Sequence, residues 1–270
     1  MIQDVLTALL VVASVGVAAG VLLALASHFF KVEVDEKVSR VREALPGSNC
    51  GACGFAGCDS YAEAVASGKA APNLCVPGAA GVAASLSEIL GVECEAKESG
   101  VAFVACNGNC NATTKKAEYE GIESCAAAGM LYGGPSSCIY GCIGCGDCAA
   151  VCPADAICVR DSLAHVDPRK CIGCSLCVKT CPKHIISIVP GNATTAVMCS
   201  NEEKGAVARK NCKNACIGCK KCQLNCPEKA VSVKNNVATI DYSLCTGCGV
   251  CAEVCPTKCI KSLRLTENAD

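Results

Sequence analysis

Cysteine at fixed spacing carries the chemistry of this chain. Four runs of the form C-x2-C-x2-C-x3-C-P stand in its C-terminal half. They are Cys142, Cys145, Cys148 and Cys152-Pro153; Cys171, Cys174, Cys177 and Cys181-Pro182; Cys216, Cys219, Cys222 and Cys226-Pro227; and Cys245, Cys248, Cys251 and Cys255-Pro256. Thiolates so spaced hold iron–sulfur clusters, with the cysteine before proline ligating the other cluster of a pair. Zinc also takes thiolates, but structural zinc sites use pairs of C-x2-C knuckles rather than triplets closed by C-P. Disulfide frameworks seldom repeat such a run four times, and cluster ligands must stay reduced. The spacing therefore implies a reducing, cytosolic environment.

Each pair of runs resembles one bacterial-type two-cluster ferredoxin, which implies two ferredoxin modules and four [4Fe–4S] clusters. With the fourth cysteines exchanged between paired runs, Cys142, Cys145 and Cys148 are joined by Cys181, and Cys171, Cys174 and Cys177 by Cys152. In the second module Cys216, Cys219 and Cys222 are joined by Cys255, and Cys245, Cys248 and Cys251 by Cys226.

A fifth four-thiolate set, Cys50-x2-Cys53-x4-Cys58-x16-Cys75, lies near the N-terminus. Gly51, Gly54 and Gly57 let the backbone turn tightly there and bring amides close to sulfur. Three clustered cysteines and a distant fourth fit a [4Fe–4S] cube, with zinc as the alternative. Cys106, Cys110, Cys125 and Cys138 form a looser set. They are candidates for a sixth cluster, the alternative being reduced thiols packed as small hydrophobes. Of the 29 cysteines, Cys94, Cys158, Cys199, Cys212 and Cys259 remain. Cys158 and Cys259 follow C-P segments and are read as packing thiols; Cys199 and Cys212 are left open, their nearness to the third run permitting a cluster-associated role, and Cys94 has no assigned role. His28, His165 and His184 are read as structural. No Gly-x-Gly-x-x-Gly follows a strand, so no dinucleotide fold is indicated, and no catalytic triad stands out.

The elements that must position these thiols are small. Aromatic residues make up only 3% of the 270 positions and tryptophan is absent, so a large aromatic core is excluded. Cysteine-dense modules then rely on metal as their internal staple. From Val5 to Ser27 no residue is charged. As a helix this stretch reaches roughly 34 Å, enough to span a bilayer core of about 30 Å. Its flank carries Lys31, Lys37, Arg40 and Arg42, which places the rest of the chain in the cytoplasm by the positive-inside rule. Val34, Val38, Val41 and Leu45 recur at helical spacing up to Pro46-Gly47. Phe55–Ser67 and Ala79–Leu90 read as helices. Short strands are expected at Ala156–Val159, Ala164–Asp167, Ile185–Val189, Ala230–Val233 and Val237–Asp241. The expected class is α+β. Its parts are a transmembrane anchor (1–30), a charged linker (31–45), a helical four-cysteine domain (46–92) and a cysteine-rich middle segment (93–139). A first ferredoxin module (140–190), a connector (191–213) and a second module (214–265) follow.

This layout resembles the B-type subunit of the Rnf complex over essentially the whole chain. Val104-Ala105-Cys106-Asn107-Gly108-Asn109-Cys110, Tyr119 to Cys125, Gly134-Pro135-Ser136-Ser137-Cys138 and Val197 to Asn201 are similar to the long form of that subunit found in anaerobes. The first run is complete here, with Cys145 present, which frees Cys138 for the middle site. The resemblance implies a membrane complex that oxidises reduced ferredoxin, reduces NAD+ and moves Na+ or H+. This subunit would take electrons from soluble ferredoxin and hand them to membrane-embedded redox subunits, without a catalytic site of its own. Five [4Fe–4S] clusters are expected, and a sixth at the middle set. The alternative is a polyferredoxin-type subunit of another anaerobic membrane or hydrogenase complex. Charge is uneven: residues 200–270 carry eleven Lys or Arg against seven Asp or Glu, whereas the whole chain has a net charge of −1. Ferredoxins are usually acidic, so the distal module is the expected docking side.

Overall fold

The computed structural model describes residues 2–29, 35–92 and 100–263. Cys94 lies outside them, as do Lys31 and Val34. Helix α1 runs unbroken over Ile2–Phe29, 28 residues. Side chains are described for only part of it, and among the described residues no helix is long and apolar enough to cross a membrane. The expected N-terminal helix is thus present, but its described portion does not amount to a span.

Three short helices build the first cysteine domain: α2 (Glu36–Ala44), α3 (Cys58–Ala66) and α4 (Ala79–Leu90). Asp35 caps α2 by accepting from the Lys37 amide at 2.9 Å. Gly91, at φ +68°, ends α4 in the left-handed conformation that favours glycine. Val41, Tyr61, Val65, Val82 and Leu86 form the buried core, with Cys53 and Cys58 packed on it.

The first ferredoxin module takes its edge strand from far upstream. Strand β1 (Gly100–Val104) pairs antiparallel with β4 (Ile186–Pro190), in register from Gly100↔Pro190 to Val104↔Ile186. Between them lie α5 (Cys125–Met130), α6 (Asp147–Ala150), the hairpin of β2 (Ile157–Arg160) and β3 (Leu163–Val166), and α7 (Leu176–Thr180). The second module repeats the plan. Strand β5 (Thr195–Val197) pairs with β8 (Ile260–Ser262). They enclose α8 (Gly205–Asn211), α9 (Lys221–Leu224), the hairpin of β6 (Val231–Lys234) and β7 (Val237–Ile240), and α10 (Val250–Glu253). Strands β1 and β5 fall in the expected middle segment and connector, and each is paired into a module instead.

Local chemistry explains the repeat. Both hairpins turn on two consecutive left-handed residues, Asp161-Ser162 (φ +52° and +60°) and Asn235-Asn236 (φ +48° and +63°), matching the type I′ preference. After each C-P the third residue past cysteine is also left-handed: Asp155, His184, Lys229 and Lys258. His184 therefore occupies a turn position. On β2 the alternation of faces leaves Cys158 exposed, so it is not a packing thiol against a cluster. Cys259, 1% exposed, is one.

Candidate metal centres

In the N-terminal domain, Cys58 opens α3, and its amide donates to Asn49 Oδ1 at 2.8 Å. Tyr61 holds the return loop: its hydroxyl donates to the Ala71 carbonyl at 2.8 Å and accepts from the Leu74 amide at 3.2 Å. This delivers Cys75 beside Cys50, Cys53 and Cys58. Burial pushes the Cys75 thiol up, and the three neighbouring thiols add to that. A side chain on Gly78 would meet Val82 Cγ2 at 2.1 Å and Cys75 Sγ at 3.2 Å, so the approach to the thiol requires glycine.

In the first module, Cys177 is pushed up to about 11 by burial, with Cys171, Cys174 and Cys152 as its neighbours. The cysteine before proline thus stands with the other run. Amides point at these sulfurs: Ala102 N–H donates to Cys171 Sγ and Ala156 N–H to Cys152 Sγ, both at 3.3 Å. On the other side, Cys142, Cys148 and Cys181 line a small cavity. Burial raises Cys148 to about 12 there. Cys125 lines the same cavity, and its amide donates to Asp147 Oδ1 at 2.8 Å. Cys145 is a neighbour of Cys125, and its pKa rises to about 11, chiefly through burial.

In the second module, Cys216, Cys219, Cys222 and Cys255 line a small cavity together with Cys259. The Cys259 thiol lies 3.6 Å from Cys255 Sγ. Hydrogen bonding from Cys259 lowers Cys255 to about 4 and Cys216 to about 6, while Cys259 itself is raised. Cys251 has Cys245, Cys226 and Cys248 as neighbours.

The four cysteines of the middle set are not brought together. Cys110 is exposed, and its amide donates to the Asp161 carbonyl at 3.0 Å. Cys125 belongs to the first module's cavity. Cys106 and Cys138 instead line a separate cavity whose other thiols are Cys199 and Cys212, two residues whose role the sequence leaves open. Their one legible signal is spacing: Cys212 precedes Cys216 by the same four residues that separate Cys138 from Cys142.

The thiol sets suit iron–sulfur clusters. They line small cavities, and backbone amides are aimed at the sulfurs, as tuning a cluster requires. Among the described residues no three His, Cys, Asp or Glu side chains converge on a single metal ion. When bound, such clusters supply one-electron transfer.

Known proteins agree with this chemistry. A family described as "Putative Fe-S cluster" matches residues 45–77. Families described as "4Fe-4S dicluster domain" match 141–185, 170–231 and 210–262. A protein from Acetobacterium woodii, the B-type subunit of a Na+-translocating ferredoxin:NAD+ oxidoreductase complex, is 44% identical over 85% of this chain and 69% of its own length. This chain belongs to the family of B-type subunits of ion-translocating ferredoxin:NAD+ oxidoreductase (Rnf) complexes. The Clostridium ljungdahlii relative, from a proton-translocating complex, is also 44% identical, over 90% of this chain and 86% of its own. The corresponding subunit of an ion-translocating oxidoreductase complex from Methanosarcina acetivorans is 36% identical over 87% and 90%. The plan of this Rnf subunit is thus common to relatives named for either coupling ion.

Proposed function

We propose that this iron–sulfur electron-transfer subunit takes electrons from reduced soluble ferredoxin at its distal module and passes them towards membrane-embedded partners beside its N-terminal domain. The carrying observation is that the thiol sets lie next to one another along the molecule. Cys50 is a neighbour of Cys174, and a Cβ on Gly173 would meet Val76, the residue after Cys75, at 3.6 Å, which links the N-terminal domain to the first module. At the far end Cys219 and Cys248 are exposed, and Lys220 and Lys221 beside Cys219 are exposed too. An exposed ligand shortens the path for an incoming electron, and positive charge speeds encounter with an acidic donor.

The ligand sets proposed are Cys50, Cys53, Cys58 and Cys75 in the N-terminal domain, with the four sets of the ferredoxin modules as exchanged between runs. Helix α1, uncharged from Val5 to Ser27, supports a membrane anchor with residues 35–263 on the cytoplasmic face. Membrane vesicles test both parts together. In inverted vesicles, added reduced ferredoxin should drive NAD+ reduction, and protease should abolish it while digesting the modules. Digestion in right-side-out vesicles instead would overturn the orientation, and a complex lacking this subunit that keeps full activity would overturn the relay.

A further inference from the structure

The two modules meet around four thiols, and the two pairs are arranged alike. Cys106 follows the end of β1 by two residues, and Cys199 follows the end of β5 by two. Cys138 precedes the first run by four residues and Cys212 precedes the third run by four. The hydrogen bonds repeat as well. Cys106 Sγ accepts from the amide two residues on, Gly108, at 3.3 Å, and from the Cys142 amide at 3.4 Å. Cys199 Sγ accepts from the amide two residues on, Asn201, at 3.5 Å, and from the Cys216 amide at 3.2 Å. Asn201, 1% exposed, also turns its Nδ2 to Cys138 Sγ at 3.4 Å. The fourth sulfur, of Cys212, lines the same cavity.

All four sulfurs border one space. A Cβ on Gly108 would meet both Cys212 Sγ (3.4 Å) and Cys106 Sγ (3.6 Å). One on Gly141 would meet Cys138 Sγ (3.6 Å) and Cys106 Sγ (3.7 Å). Cys106, Cys138 and Cys212 are at most 8% exposed. Buried thiols kept as small hydrophobes have no use for such donors, because neutral sulfur is a weak acceptor. N–H groups aimed at three of the four sulfurs suit thiolates held by metal. All four cysteines line one cavity, as the C-x2-C-x2-C set at Cys216 lines its own.

We infer that Cys106, Cys138, Cys199 and Cys212 hold a [4Fe–4S] cluster at the junction of the two ferredoxin modules, each module supplying two ligands. Through the amides of Cys142 and Cys216, the site abuts the first cysteine of each module's leading run. It therefore joins the two modules' cluster sets into one row. That role rests on the electron-relay reading; occupancy of the site does not.

The test uses the full-length holoprotein, purified without oxygen, with iron, zinc and acid-labile sulfide counted and Mössbauer spectra recorded. The Cys199→Ser, Cys212→Ser double variant should lose about four irons and four sulfides. Cys110→Ser, at an exposed cysteine off the cavity, should lose none. Should the double variant fail to accumulate, Asn201→Ala keeps all four thiols and removes the donor to Cys138. It should retain the full iron count and shift the potential of one cluster to a more negative value. An unchanged iron count in the double variant, one zinc per chain lost with these cysteines, or unshifted potentials in Asn201→Ala would each overturn the site. These counts do not depend on which protein reduces the chain, so they stand apart from any failure of the relay reading.

Discussion

The two ferredoxin modules share one plan and differ in what covers their second cysteines. In the first module Cys145 has Cys125, from the upstream segment, as its neighbour. Cys174 is only 7% exposed, in the run where a Cβ on Gly173 would meet Gly100 and Val76. In the second module the equivalent Cys219 and Cys248 are both exposed. Leu224 (80%) and Leu244 (54%) are exposed beside them, an apolar complement to Lys220 and Lys221. The same run of residues therefore makes an enclosed station in one place and an accessible edge in another. What decides is the segment packed outside the motif.

Substituting the second cysteines should separate the modules most sharply. Cys219→Ala should cost its cluster, about four irons, because the further thiol in that cavity, Cys259, stands against Cys255 rather than in place of Cys219. Cys145→Ala should keep its iron, because Cys125, rather than Cys145, lines the cavity with Cys142, Cys148 and Cys181 and can stand in. Equal iron loss in the two variants would mean Cys125 is only a neighbour. A smaller effect concerns docking. Lys220→Glu with Lys221→Glu should slow electron uptake from reduced ferredoxin several-fold at low ionic strength, and the difference should shrink as salt rises. Reversing Arg169, exposed on the first module, should change little. Matching rates and salt slopes in the two variants would remove the distal module as the port. The smallest effect is on stability. Gly144 (φ +86°) and Gly218 (φ +63°) occupy equivalent turns, and an added Cβ would stand 2.6 Å from the Ser162 carbonyl oxygen in the first and 3.1 Å from that of Asn236 in the second. Both alanine variants should lose about 1–2 kcal/mol through the left-handed backbone, and Gly144→Ala should lose more through its clash, read as a lower melting temperature.

The ligand runs are legible in the sequence because their spacing is local. Three cysteines within seven residues must share a cluster whatever the rest of the chain does, and the hairpin at Asn235-Asn236 announces itself by its turn residues. The segment 100–104 is harder to read. Its partner, β4, lies some 80 residues away, and nothing in Gly100–Val104 specifies that pairing. The junction thiols are hidden for the same reason. Cys106 and Cys199 are equivalent only relative to strand ends, and the stretches from them to the next run differ in length, so no fixed motif links them. Proximity in sequence groups Cys125 with Cys106, whereas the bonds of its amide and of Ser124 Oγ to Asp147 draw it towards the first run.

Strand β5 has one strand partner among the described residues, and that is β8. Cys199, two residues past β5, therefore owes its position to Ile260–Ser262 near the end of the chain. During synthesis all four junction thiols leave the ribosome before that strand does. The first module can close once β4 has emerged, but the junction must wait for β8 to arrive. Maturation of the centre of this molecule is thereby tied to synthesis of Ile260–Ser262, so a chain ended before that strand would carry every junction cysteine and still leave one of them unplaced.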